Sequence, residues 1–191
     1  MKRVLALAAL LLFVCGYGTA HASGDTVFRG ILIHQSDLPV GYGHALYQYL
    51  SSDHSAYILF SAGSLPAEQR AVVGYTLSFS IARFRSDALA VQTLRATVNP
   101  IFGPGGFVWQ PSVGDPGEVI GSISPDPTLP DPAASKEIIG TRYMVAFVRG
   151  PFLLTESVLG RTGTMNPTTI AGYASLMDSR VMAYMASVGL H

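Results

Sequence analysis

The sequence predicts an α+β domain in which a curved antiparallel sheet is packed by helices, including a long C-terminal one. Three observations carry this. Residues 74–84 alternate Tyr75, Leu77, Phe79 and Ile81 with Thr76, Ser78, Ser80 and Ala82, the period of a strand buried on one face. Residues 141–148 and 152–159 are two β-favouring apolar runs separated by Arg149-Gly150-Pro151, which reads as a hairpin with Gly150 at its turn. Residues 167–188 place Ile170, Tyr173, Met177, Val181, Tyr184 and Val188 at spacings of three and four. That helix has Asn166 as its cap, Pro167 in its first turn and Gly189 past its end.

Taken from the N-terminus, residues 1–22 read as a secretory signal. Lys2 and Arg3 give the positive start, residues 4–15 are an unbroken apolar run, and Ala20-His21-Ala22 is a small-x-small cleavage pattern. The run is shorter than the ~18 to 20 residues that span a bilayer. Cys15 follows Phe13 and Val14 rather than the small residue that a lipid-modified cysteine needs, so a lipid anchor is disfavoured as well. Cleavage after Ala22 also removes Cys15, the only cysteine, and the core must then hold without a disulfide.

Of 191 residues, 169 remain once those 22 are removed, the size of one domain over 23–191. The loss of Lys2 and Arg3 takes the 12 basic residues to ten against 12 acidic ones. This balance offers no footprint for nucleic acid or an anionic membrane surface.

Residues 25–33 are open between two forms, since Val27, Ile31 and Ile33 fit alternation while Phe28, Ile31 and Leu32 fit a helical face. Residues 36–41 are turn chemistry around Pro39 and Gly41. A tyrosine-rich stretch occupies 42–57. After the strand at 74–84, Ser86 caps a helix with Asp87 in its first turn, Arg95 near its last, and Val91, Leu94 and Val98 as its buried stripe. A Pro/Gly-rich loop at about 99–135 holds eight of the 12 prolines. Within it Phe102, Phe107 and Trp109 are expected to fold back on the core, and Val119-Ile120 to add a short edge strand. Asp178 and Arg180 exclude the last helix as a membrane span, so the mature chain has no transmembrane span.

Three segments, Asp37-Leu38-Pro39-Val40-Gly41, then Phe84-Arg85-Ser86-Asp87-Ala88-Leu89-Ala90, then Phe147-Val148-Arg149-Gly150, occur in an order that resembles a loose group of exported bacterial proteins. The group comprises lipoproteins and the extracytoplasmic sensor-like domains of actinobacteria, with a DLP-x-G segment near the domain start and an arginine-glycine hairpin before a long final helix. The likeness covers most of the mature chain, and its motifs are structural. It implies an α+β fold somewhat like the PsbP-like class and no particular activity. Pro151 departs from the polar residue expected after the turn glycine.

Four groups of residues contain types that can carry chemistry. His34, His44 and His54, with Asp37 and Asp53 nearby, contain zinc-ligand residue types, but a spacing of ten matches neither a helix face nor a chelating loop. His34, Ser36 and Asp37 contain the residue types of a serine hydrolase without a G-x-S-x-G or S-x-x-K pattern. Glu156 interrupts an apolar strand; a solvent-facing or arginine-paired carboxylate is favoured over a buried acid, because charged groups are seldom fully buried. The acidic prolines of 124–132 lack the ligand spacing of a calcium loop, and no glycine-rich phosphate loop precedes a helix.

An aromatic surface remains. Tyr42, Tyr47, Tyr49 and Tyr57 fall in one segment, and Phe107 and Trp109 in the long loop. Aromatic rings join large contact area to a polar handle. The expected ligand-binding set is Tyr42, Tyr47, Phe107 and Trp109, with Tyr42 and Trp109 exposed beside their turns. No catalytic residue, metal or cofactor is assigned. The leading expectation is an exported, extracytoplasmic, non-catalytic binding or sensor-like domain whose partner is a small molecule, glycan, lipid or envelope protein. A metal-dependent or serine-type hydrolase and a structural envelope protein are the alternatives.

Overall fold

A computed structural model of the chain describes residues 23–52, 54–61, 76–98, 107–109, 111–126, 140–161 and 166–190. The signal segment and parts of the Pro/Gly-rich loop lie outside these residues, as does Asp53. The element order is α1 (Ser23–Ile31), a 3-10 turn (Gln35–Asp37), β1 (Gly43–Leu50), β2 (Ser55–Ser61), β3 (Thr76–Arg83) and α2 (Asp87–Thr93), then β4 (Phe107–Trp109), β5 (Val119–Asp126), β6 (Gly140–Arg149), β7 (Phe152–Arg161) and α3 (Pro167–Ser187). The fold is α+β.

Among the described residues the strands form one open sheet of seven in the order β1-β2-β3-β7-β6-β5-β4, with every pairing antiparallel. It consists of two meanders, β1-β2-β3 and β4-β5-β6-β7, joined where β3 lies against β7. The expected hairpin is β6-β7, and Gly150 takes φ +53° at its turn, where a side chain would be strained. The tyrosine-rich stretch contributes β1 and β2, elements that its sequence pattern did not define. Val119-Ile120 begins an eight-residue strand that is internal rather than an edge, because the short β4 pairs on its outer side.

Of residues 25–33, α1 takes 25–31, and Leu32 and Ile33 follow its end. Phe28, Ile31 and Leu32 are buried against the sheet and α3, and this packing settles what the ambiguous local period did not. In α3 the Asn166 side chain accepts the Thr168 N–H at 2.9 Å, Pro167 stands at the start, and Ile170, Ala174, Met177 and Val181 pack on the sheet. The larger of these, Ile170, Met177 and Val181, contribute roughly 1.5–3 kcal/mol each. Val188 was expected on that stripe but stands exposed past the helix end.

The Ser86 cap is present, its hydroxyl accepting the Leu89 N–H. The helix it starts converts to a π-turn over Leu94–Val98, and its buried positions are Ala90, Thr93 and Leu94; of the expected stripe Leu94 is buried, Val91 packs half-buried against the same cluster, and the side chain of Val98 lies outside the described part. The wider turn rotates the following residues off a 3.6-residue period. This short helix packs on the opposite face of the sheet, with Phe84, Ala90 and Leu94 meeting Ala82, Ala146, Val148 and Leu153. Among the described residues, no helix is long and apolar enough to cross a membrane.

Candidate functional site

The two sheet faces have different chemistry, and the alternation seen in the sequence is the reason. Odd positions of β3 and even positions of β7 (Leu77, Phe79, Ile81, Phe152, Leu154, Val158) lie in the core under α3. The intervening positions present hydroxyls. Ser80 Oγ and Thr155 Oγ1 share a hydrogen bond of 2.6 Å across the β3-β7 junction, and Ser78 Oγ donates to the Ser157 carbonyl at 3.3 Å. Tyr57 on β2 hydrogen-bonds Ser78, although burial outweighs that bond and raises its phenol pKa. Ser122 on β5 lies on the same face by register, opposite Met144.

Of the described helices, α2 covers the end of this face that carries Ala82, Ala146, Val148 and Leu153, reaching the register partner of Thr155. Ser78, Ser80, Thr155 and Ser157 are half-buried. A hydroxyl both donates and accepts, so the row can recognise a neutral polar ligand. Besides each other, Ser80 and Thr155 have Tyr57 and Ala146 as register partners, and Ser78, Ala82, Leu153 and Ser157 two residues along on the same face; none of these is a histidine or carboxylate that could act as base.

The expected aromatic set does not assemble into one surface. Tyr42 is 3 % exposed and lies in the core, correcting the expectation that its turn would display it. Its burial, with the nearby Tyr173 phenol, raises its pKa. Tyr47 is on the edge strand β1, donating to Asp25 Oδ1 at 2.6 Å while the Arg29 guanidinium stacks 3.7 Å from its ring centroid. Phe107 and Trp109 are on β4 at the far edge of the sheet, paired with Ile123 and Gly121; their side chains lie outside the described part. Six strand spacings of ~4.8 Å put the two edges about 29 Å apart along the sheet. Tyr47 therefore stands apart from Phe107 and Trp109, and a binding role at either edge is a separate proposal.

The histidines also disperse. His34 precedes β1 and His54 follows it, so the strand lies between them along the chain. The His34 ring bonds the Arg29 carbonyl at 2.6 Å, and the side chain of His44 lies outside the described part. Among the described residues, no group of three His, Cys, Asp or Glu side chains is placed to hold a metal ion.

Asp37 does not serve a triad. Arg180 on α3 grips both of its oxygens at 2.8 and 2.9 Å, and the His34 N–H donates to it at 2.7 Å. Burial pushes the Asp37 carboxyl up, but these bonds outweigh it and hold the pKa below the usual carboxylate value. The same arginine donates to the Leu32 carbonyl, which ties the Asp37-Leu38-Pro39-Val40-Gly41 turn to the final helix. The sequence offered no signal for this partner, 143 residues away.

Glu156 corrects the sequence reading most sharply. It is 0 % exposed on the α3 face of β7, and neither carboxyl oxygen meets a hydrogen-bond partner among the described residues. Its burial raises its pKa well above the ordinary value, with the Ala174 N–H a lesser, opposing influence.

An open antiparallel sheet with a long helix across one face and a short one on the other defines a class of fold, and a solved structure shares it. The chain resembles the extracellular domain of PknH from Mycobacterium tuberculosis with a TM-score of 0.57 at 10 % sequence identity, over 86 % of this chain and 98 % of that one. At that identity the likeness concerns the fold. No protein-family model matches the chain, and no curated protein does.

Proposed function

We propose that this protein is an exported, extracytoplasmic, non-catalytic binding or sensor-like domain, and that its ligand is a neutral, hydroxyl-rich molecule, a cell-envelope glycan, held on the hydroxyl-bearing face of the sheet. The observation that carries the reading is the row Tyr57, Ser78, Ser80, Thr155 and Ser157 across three adjacent strands, without a base or metal group at neighbouring positions. The signal-like N-terminus supports export, and the shared fold with an extracellular domain agrees with it.

Neutral oligosaccharides are expected to raise the melting temperature, because a ligand that binds only the native state stabilises it. Lipid vesicles and anionic peptides are expected not to. Replacing Ser80→Ala and Thr155→Val together removes both partners of one hydrogen bond, a change that is close to neutral for stability, and should abolish the shift. A shift that survives the double replacement places the ligand elsewhere, with Tyr47→Ala and Trp109→Ala as the next variants to measure. Export has its own check, since intact-mass analysis of the secreted protein should show a species beginning at Ser23. A species retaining Met1, or an acylated one beginning at Cys15, overturns cleavage after Ala22.

A further inference from the structure

Glu156 occupies the middle of β7, with Phe79 and Val145 as its cross-strand partners and Leu154 and Val158 flanking it on the same face. All four are fully buried, and Ile170, Ala174 and Met177 of α3 close over that face. The Ala174 N–H is the polar group from the helix, and in an α-helix it already serves the carbonyl four residues earlier. Among the described residues, both carboxyl oxygens are left without a hydrogen-bond partner. An ionised carboxylate in this position would be a bare charge in apolar surroundings, which costs far more than a neutral acid there.

The charged and titratable groups on the surrounding elements offer no rescue. Tyr173 on α3 is near enough for the Glu156 charge to raise its pKa, though burial is the larger cause, and Asp37 adds in the same direction. Tyr143 lies two positions from Val145 on β6, and burial raises its pKa too. Of the cations, Arg180 is held by Asp37, Arg149 by Asp178 and Asp115, and Arg83 lies over the Phe152 ring at the end of β3.

We propose that Glu156 is a proton-binding site that latches α3 to the sheet: the helix closes over the neutral acid, and loss of the proton releases the helix far enough for water to reach the carboxylate. The sign follows from which state holds the proton. The closed state binds it more tightly than the open one, so closure is complete below the ordinary carboxylate range and weakens as pH rises toward the raised value of the folded state. Over that interval one proton is released per opening, and the opening equilibrium grows about tenfold per pH unit. This inference is independent of the ligand assigned to the opposite face.

Amide hydrogen exchange across residues 170–178, corrected for the intrinsic pH dependence of exchange, reads the opening directly. In the wild-type protein the opening should increase with pH by about tenfold per unit between the two values, and Glu156→Gln should flatten the profile. Glu156→Met serves as a second neutral variant should the first fail to fold. Titration of the Glu156 carboxyl carbon by NMR needs no variant and should show a midpoint well above the ordinary carboxylate range. Parallel exchange profiles in wild type and Glu156→Gln, or a carboxyl midpoint in the ordinary range, overturn the proposal.

Discussion

Met177→Asp is expected to destabilise the fold by about 4 kcal/mol or more, a change that ranks among the largest single-site effects. Met177 is 0 % exposed in the middle of α3, in the same core cluster as Ile170, Ala174 and Val181. Aspartate there loses the transfer free energy of the thioether side chain and adds a charge without a partner. Met177→Leu, which keeps the apolar volume, should cost less than about 1.5 kcal/mol. Chemical denaturation of the two variants checks both values. An unchanged midpoint in Met177→Asp would mean that α3 does not close the core with this face.

The second large effect is expected at the β6-β7 hairpin. Arg149 donates from Nε and Nη2 to the two oxygens of Asp178 at 2.8 and 2.7 Å and from Nη1 to Asp115 at 3.1 Å. Asp178 also accepts the Gly114 N–H, and Asp115 the Gly150 N–H, so one arginine ties the hairpin turn, the loop before β5 and α3 together. Gly114 is needed for this approach, because φ is +73° and a Cβ there would stand 2.7 Å from the Val148 carbonyl oxygen.

Asp178 is 5 % exposed, so Arg149→Ala strands a buried carboxylate and is expected to cost about 3–5 kcal/mol. The double replacement Arg149→Met with Asp178→Leu should recover much of that loss, since removing both charges also removes their desolvation cost. A single variant as stable as wild type, or a double variant no better than the single, would show that the network contributes little.

Much of the fold is legible in the chain because its periods are local. The alternation around Phe79, the Arg149-Gly150-Pro151 turn and the stripe through Met177 each state their own geometry within a few residues, and Ser86 and Asn166 cap helices where their side chains and neighbours require it. The stretch around Tyr47 and Tyr57 was less legible. Its two strands are joined by a hairpin in which His54 takes φ +46°, an uncommon conformation for a residue other than glycine. The placement of the aromatic residues was illegible for a different reason. A buried tyrosine and a displayed one have the same local sequence, and closeness along the chain gave no warning that Tyr47 and Trp109 fall on opposite edges of the sheet.

The sequence by itself determined the α+β class, the strand and helix periods, and the hydroxyl and apolar faces of β3, since side-chain direction alternates with backbone geometry whatever the chain packs against. Only the tertiary structure decided that β3 lies against β7, that Asp37 meets Arg180, and that Glu156 stands in the apolar interior rather than at the surface. Those outcomes depend on which element covers which face. A carboxylate in a strand reads the same in sequence whether water or α3 lies above it, and its protonation is set by that cover.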